Sequence, residues 1–205
     1  MRRVPVFTDW LYEFDCPPDT LSLALHTAKN ATHHRGETNR TSYPEQFFGD
    51  DFDPVREWVD SCLEQVRTDL KLECEHLLSS VCWTTLTERG RWHHTHKHGV
   101  SFASGVLYLT ESGAQTWFSR ESVWNPELTL INVHNSETST LLYKKTTDPG
   151  RLVVFPSGLY HSVSEHDRDD PRYILSFNSF PSGQLGTYSE TYSRRLLNLT
   201  VNQKK

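Results

Sequence analysis

The sequence predicts a mainly β chain, with helices leading into a double-sheet jelly roll. Two observations predict it. Apolar residues recur at helical spacing only in the first eighty positions, whereas from Val81 onward the chain breaks into short runs rich in β-branched and aromatic residues. Turn signals separate those runs: Glu111-Ser112-Gly113, Asn125-Pro126, Asn135-Ser136 and Asp148-Pro149-Gly150. No repeat period or low-complexity segment points elsewhere. The 205 residues therefore read as a single domain, with 1–79 as helical support and 80–205 as the jelly-roll core.

Residues 1–15 form a β-like lead, with Val4, Val6, Phe7, Trp10, Leu11, Tyr12 and Phe14 as its apolar surface. Pro17-Pro18 ends it, and Asp19 is placed to cap a helix through Leu21, Leu25 and Ala28. The polar stretch 31–43 is expected to be a loop. Asp53-Pro54 opens the clearest helix, in which Val55, Trp58, Val59, Cys62, Leu63, Val66 and Leu70 make one apolar face. Glu57, Asp60, Glu64, Arg67, Lys71 and Glu75 mark the opposite face as exposed. Strands are expected at 81–88, 102–109, 115–118, 129–133, 140–143, 151–155 and 173–177. The tail from Thr187 to Leu199 fits either a strand or a helix.

Composition narrows the function. The net charge is -5 and no basic stripe appears, so nucleic acid is not an expected partner. No apolar run reaches membrane length, and the first residues, Met1 to Asp9, lack the apolar core of a signal peptide; a cytoplasmic location is expected. Cys16, Cys62, Cys74 and Cys82 form no CxxC pair and read as core or incidental thiols.

Chemistry concentrates in Trp92-His93-His94-Thr95-His96-Lys97-His98, where four of the chain's eleven histidines fall within six residues. Strand alternation puts His94, His96 and His98 on one side and His93, Thr95 and Lys97 on the other. Two imidazoles on one face can hold one metal, and neutral imidazole suits iron, zinc, copper or nickel. A solvated histidine-rich surface tract is the rival reading. A second segment, Gly150 to Val163, is a strand, a Pro156-Ser157-Gly158 turn and then His161. Arg172 follows, sharing a face with Ile174, Ser176 and Asn178. An arginine pointing into a barrel requires an anion, either a ligand or a buried carboxylate.

The His96-x-His98 pair running into Ser101-Phe102-Ala103-Ser104-Gly105-Val106-Leu107-Tyr108-Leu109, followed by Leu152 to Ser157, His161, Arg172 and Ser176-Phe177-Asn178, resembles the Fe(II)- and 2-oxoglutarate-dependent oxygenases. In particular it is similar to a compact microbial and phage branch related to prolyl-4-hydroxylase-like enzymes. The likeness covers roughly residues 80–180. It implies a double-stranded β-helix core of the jelly-roll or cupin-like kind, with ferrous iron on His96, His98 and His161. It also implies 2-oxoglutarate as co-substrate, with Arg172 on its far carboxylate and Tyr108 and Ser176 beside it. Molecular oxygen and a small-molecule or protein side-chain substrate complete the reaction, which yields succinate, carbon dioxide and a hydroxylated product. His98 departs from the pattern, because the family's triad has a carboxylate there. Three assignments stay open: His98 binds iron, His98 stands behind a coordinated water, or His94 and His96 form the pair.

Tyr108 either offers its hydroxyl to 2-oxoglutarate or fills the barrel, and Arg172 can also be read as the partner of Asp169 or Asp170. His76, His134 and His166 are expected at the surface, and Ser119 to Glu127 and the 31–43 stretch are candidate substrate walls. A cupin-like three-histidine metalloenzyme without 2-oxoglutarate is the rival enzyme. A non-catalytic jelly-roll binding module is the rival of another class.

Overall fold

The computed structural model describes residues 9–36, 38–42, 50–119, 142–145, 148–185 and 197–200. Two antiparallel sheets face one another. The larger contains β1 (Tyr12–Asp15), β9 (Arg151–Pro156), β6 (Ala103–Tyr108), β11 (Arg172–Leu185), β4 (Cys74–Thr87), β3 (Arg40–Ser42) and β2 (His33–Arg35) in that order, with β12 (Leu197–Leu199) beside the far end of β11. The smaller runs β5 (His93–His96), β10 (Tyr160–Val163), β7 (Thr116–Ser119) and β8 (Leu142–Lys145). Helices α1 (Pro18–Asn30) and α2 (Asp53–Asp69) cover the outer face of the larger sheet.

The continuous apolar run Leu152-Val153-Val154-Phe155 follows from this layering, because a central strand is buried on both faces. Leu107, Leu152, Val154, Leu175 and Phe177 point outward and meet Val55, Val59, Leu63 and Val66 of α2. Tyr108, Val153, Phe155 and Ile174 point inward and meet Phe118 of the smaller sheet. Each such buried side chain contributes roughly 1.5–3 kcal/mol. The candidate site lies between this inner layer and strands β5 and β10 of the smaller sheet.

The polar face of α2 has more to do than expected. Asp60 accepts a hydrogen bond from Ser79 N at 2.7 Å, and Glu64 accepts one from Leu77 N at 2.7 Å. Among the described residues β3 pairs with β4 at Thr85 and Leu86, and the Ser79 and Leu77 amides nearer the start of β4 are met by these carboxylates instead. These two carboxylates fasten the helix to the sheet. Cys62 and Cys82 are core residues, and all four cysteines are free thiols.

Three further expectations are corrected. The 31–43 stretch contains the β2–β3 hairpin, not a structureless loop, because the edge of β4 offers it partners at Thr85 and Leu86. α1 begins at Pro18 and Asp19 sits in its first turn, with no side-chain cap bond; there it acts through the positive end of the helix. α2 has Phe52 at its cap position, so Asp53 lies inside the first turn. The expected strand at 129–133, the loop at 120–127 and His134 lie outside the described residues, as does residues 187–196 of the tail, whose last part forms β12.

Gly105 stands opposite Phe177 in the β6–β11 pair, and a Cβ there would run into the Phe177 ring. That ring is fully buried under the helices. Gly105→Ala is expected to cost about 1–3 kcal/mol through overpacking, read as a lowered Tm by scanning calorimetry. An unchanged Tm would show that the ring has room to retreat.

Candidate metal centre

The histidine-rich strand does not alternate simply. In the β5–β10 pair His96 is opposite His161 and His93 is opposite Val163, so three steps on β5 match two on β10. The extra residue is a β-bulge, which re-aims side chains locally. His93 and His96 both turn inward, with ring centroids 4.4 Å apart, while His94 and Thr95 are exposed. The expectation that His93 lies on the face opposite His96 is therefore corrected, while His94, although exposed, stays within ligand reach of His96.

His96, His98 and His161 come together with ligand atoms all within 4.8 Å of one another, and a second group, His93, His94 and His96, meets the same limit. His96 belongs to both. Centroids lie 4.2 Å apart for His96 and His161 and 5.1 Å for His98 and His161. In two of these rings the tautomer is set by the backbone. His96 Nδ1 lies 2.9 Å from the His94 carbonyl and His161 Nδ1 lies 3.1 Å from the Leu159 carbonyl, so each Nδ1–H donates and each Nε2 keeps its lone pair free. That is the form a metal requires.

Buried hydroxyls hold the two histidine segments in register. Ser104 Oγ lies 2.8 Å from both Ser157 Oγ and Asn178 Oδ1, and Ser157 Oγ donates to Ser101 Oγ at 2.7 Å. His98 N donates to the Ser157 carbonyl at 2.9 Å, which links the turn before His161 to the end of the His96-x-His98 run. The serines of the 101–104 stretch and of the Pro156-Ser157 turn thus position the site without reaching it.

Phe155 packs edge-on against His161 at 4.8 Å, Phe118 lies 6.3 Å from the same ring, and Trp83 lies 5.8 Å from His98. This apolar wall disfavours the charged imidazole. Burial, helped by His96 and His98, pushes His161 down to about 4. Burial, with His96, His94, His161 and Arg172 adding to it, pushes His93 down to about 3. His96 and His98 are lowered too, again mainly by burial. All four imidazoles are neutral at pH 7.

The stability consequence has a definite sign. Between the ordinary value near 6.5 and the lowered values, the unfolded chain binds more protons than the folded one, so stability rises with pH across that window. The metal-free protein is expected to keep its full Tm above about pH 6.5 and to lose stability as the pH falls towards the value of about 4 at His161. Thermal melts in chelator from pH 7.5 to 5 measure this, and a flat profile would contradict it.

Arg172 lies on the inward face of β11, is 2% exposed, and has its guanidinium 5.6 Å from the centre of the Tyr108 ring. Its Nε and Nη2 have no hydrogen-bond partner among the described residues. The neighbouring aspartates do not serve it: Asp169 pairs with Arg89 and the Asp170 carbonyl accepts from His166. Burial lowers its pKa, yet a guanidinium remains charged. Among the described residues the centre is therefore short of one anion. Tyr108 Oη and Thr116 Oγ1 lie 2.9 Å apart, and the Tyr108 ring belongs to the inner cluster with Phe118, Val153, Phe155 and Ile174. Ser176 stands on the same inward face, opposite Trp83 and Val106.

Of the outlying histidines, His76 is exposed as expected, whereas His166 is fully buried and is corrected. It donates to the Asp170 carbonyl at 2.7 Å, and the backbone around it clamps the turn at Gly90-Arg91, an arrangement with no local sequence signal.

Three imidazoles around one sheet and, on the inward face of the facing sheet, a guanidinium with two unmatched donors among the described residues fit a metal bridged to a dicarboxylate. Comparison with known proteins points the same way. No curated protein matches the chain significantly. Residues 81–178 match the family model of 2OG-Fe(II) oxygenases. A prolyl-4-hydroxylase from Pseudomonas putida superposes with a TM-score of 0.59 at 19% identity, covering 86% of this chain and 95% of its own. HygX from Streptomyces hygroscopicus, solved with nickel, 2-oxoglutarate and hygromycin B, gives a TM-score of 0.57 at 9% identity over 83% and 82% of the two chains. The epimerase SnoN, solved with Fe3+, alpha ketoglutarate and nogalamycin RO, gives 0.59 at 12% identity over 85% and 80%. At these identities the superpositions show a shared fold. The matched region contains both histidine segments and Arg172, and over that region the chain is similar to the 2OG-Fe(II) oxygenases.

Proposed function

We propose that His96, His98 and His161 hold ferrous iron, that Arg172 takes the far carboxylate of 2-oxoglutarate, and that the enzyme hydroxylates a carbon of its substrate. The observation that carries this reading is Arg172, whose buried guanidinium has no partner for Nε and Nη2 among the described residues and lies on the inward face of the sheet opposite the one that carries His96 and His161. A planar fork fits a carboxylate in two parallel bonds, which makes it selective for one end of a dicarboxylate.

Bound iron with 2-oxoglutarate supplies oxygen activation coupled to oxidative decarboxylation, chemistry that belongs to the cofactor and co-substrate. The chain's own residues do the rest. The Leu159 and His94 carbonyls fix Nε2 of His161 and His96 as lone-pair donors. Phe118 and Phe155 keep water from one side of the centre. Tyr108, held by Thr116, sets the height of the Arg172 fork and so the orientation of the dicarboxylate. The hydroxylase outcome is supported by the likeness to the prolyl-4-hydroxylase, which spans nearly all of that chain.

The test is anaerobic. Ferrous iron followed by 2-oxoglutarate is expected to produce a weak visible charge-transfer band, and admitting oxygen with substrate candidates is expected to release succinate and place oxygen in the product. Iron binding without the band would instead favour a three-histidine enzyme that does not use 2-oxoglutarate. Succinate with an oxygen-free, stereochemically altered product would keep the co-substrate and overturn the hydroxylase outcome.

A further inference from the structure

The outer edge of the larger sheet carries a second polar site, on the opposite face from Arg172. Leu86 and Glu88 flank Thr87, which is the register partner of Arg172, so they point away from the histidine centre. Here the β2–β3 hairpin places Arg35 directly opposite Arg40, and Arg40 opposite Leu86. Like charges in directly opposed positions destabilise a strand pair. A cavity of about 210 Å³ opens at this point, lined among others by Arg35, Asn39, Arg40, Glu88 and Arg91.

Glu88 is the single carboxylate in that lining among the described residues, and it pairs with Arg40 at 3.1 Å. Arg35 and Arg91 have no ion-pair partner among the described residues. Among the described residues, three arginines against one glutamate leave a local charge near +2. Arg91 is also held firmly. Its amide donates to the Glu88 carbonyl at 3.0 Å and its carbonyl accepts from His166 N at 2.8 Å, while Gly90 N donates to the His166 carbonyl at 2.8 Å. Gly90, at φ 75°, provides the left-handed turn this clamp needs. These bonds fix the Arg91 backbone, and with it the point from which the side chain reaches the pocket.

We infer that this pocket is a binding site for a phosphate-type dianion, separate from the 2-oxoglutarate site and independent of the iron assignment. A dianion matches the excess of two positive charges, and guanidinium forks suit the oxygens of phosphate as they suit those of a carboxylate. Glu88 then has a second effect: it competes with the ligand for Arg40.

The probe is inorganic phosphate, titrated into the full chain in low-salt buffer and followed by amide chemical shifts of the hairpin and the 88–91 turn. Saturable binding is expected. The Arg35→Gln, Arg91→Gln double variant is expected to weaken it at least tenfold, and Glu88→Gln to tighten it severalfold, an effect that loss of a merely structural ion pair would not give. Arg172→Met is expected to leave phosphate affinity unchanged, and metal titration of each variant checks that the fold is intact. No saturable binding in wild type, or equal binding by the double variant, would overturn the proposal. Loss of phosphate binding in the Arg172 variant would also overturn it, because phosphate would then be occupying the 2-oxoglutarate position.

Discussion

Arg172→Met is expected to make the metal-free protein more stable and at the same time to abolish 2-oxoglutarate binding. The wild-type chain buries a guanidinium whose Nε and Nη2 meet no acceptor among the described residues. Leaving such groups desolvated and unpaired costs about 1–3 kcal/mol. Methionine has similar reach, no charge and no donor, and can settle against Tyr108 and Ile174. The gain should appear as a Tm several degrees higher for a domain of this size. Binding moves the other way. Two charge-assisted hydrogen bonds at roughly 1.5–3 kcal/mol each are lost, which puts the drop in 2-oxoglutarate affinity above about 100-fold. Arg172→Lys should recover only part of it, since an ammonium cannot reproduce the fork. Melts with and without 2-oxoglutarate on the metal-loaded protein read both effects. A Met variant that still binds 2-oxoglutarate normally would remove Arg172 from the site.

Opposite signs on stability and function are what a residue retained for binding predicts. They also explain what the sequence could reveal here. Arg172 was legible because an arginine in an alternating apolar strand has few structural excuses, and because Leu152 to Phe155 and Tyr173 to Phe177 announce a two-faced core strand by composition alone. His96, His98 and His161 were legible as a spacing. The inward turn of His93 was not, since a bulge depends on how β5 meets β10 and leaves no mark within the strand itself. The β2–β3 hairpin was missed for a related reason: its residues are polar on both faces, and only the edge of β4 makes them a strand. The burial of His166 and the attachment of Asp60 and Glu64 to β4 amides likewise belong to tertiary partners far along the chain. Local propensity has no access to such partners.

The bulge raises the question of which three histidines hold the metal, and substitution separates the two groups cleanly. His96→Ala is expected to abolish metal binding, because His96 is common to both. His161→Ala should do so only if the centre is His96, His98 and His161, and His94→Ala only if it is His93, His94 and His96. The first result is expected. His161 is nearly buried and its Nε2 is pre-set by the Leu159 carbonyl, whereas His94 is exposed to solvent. Loss of a partner that merely orients a ligand costs about 10–100-fold in metal affinity, so loss of a ligand should exceed that, as read by calorimetric titration. His98→Asp extends the argument. Three neutral imidazoles leave the charge of a ferrous ion uncancelled, and a dianionic co-substrate would then offset the charge of the ion, leaving that of Arg172 over. An aspartate at 98 would strengthen metal binding by Coulomb attraction and weaken 2-oxoglutarate binding by repulsion. If His98→Asp left 2-oxoglutarate affinity unchanged, His98 would lie outside the coordination sphere, behind a bound water. If the affinity falls while iron binds more tightly, the third histidine is the feature that tunes this centre for its co-substrate.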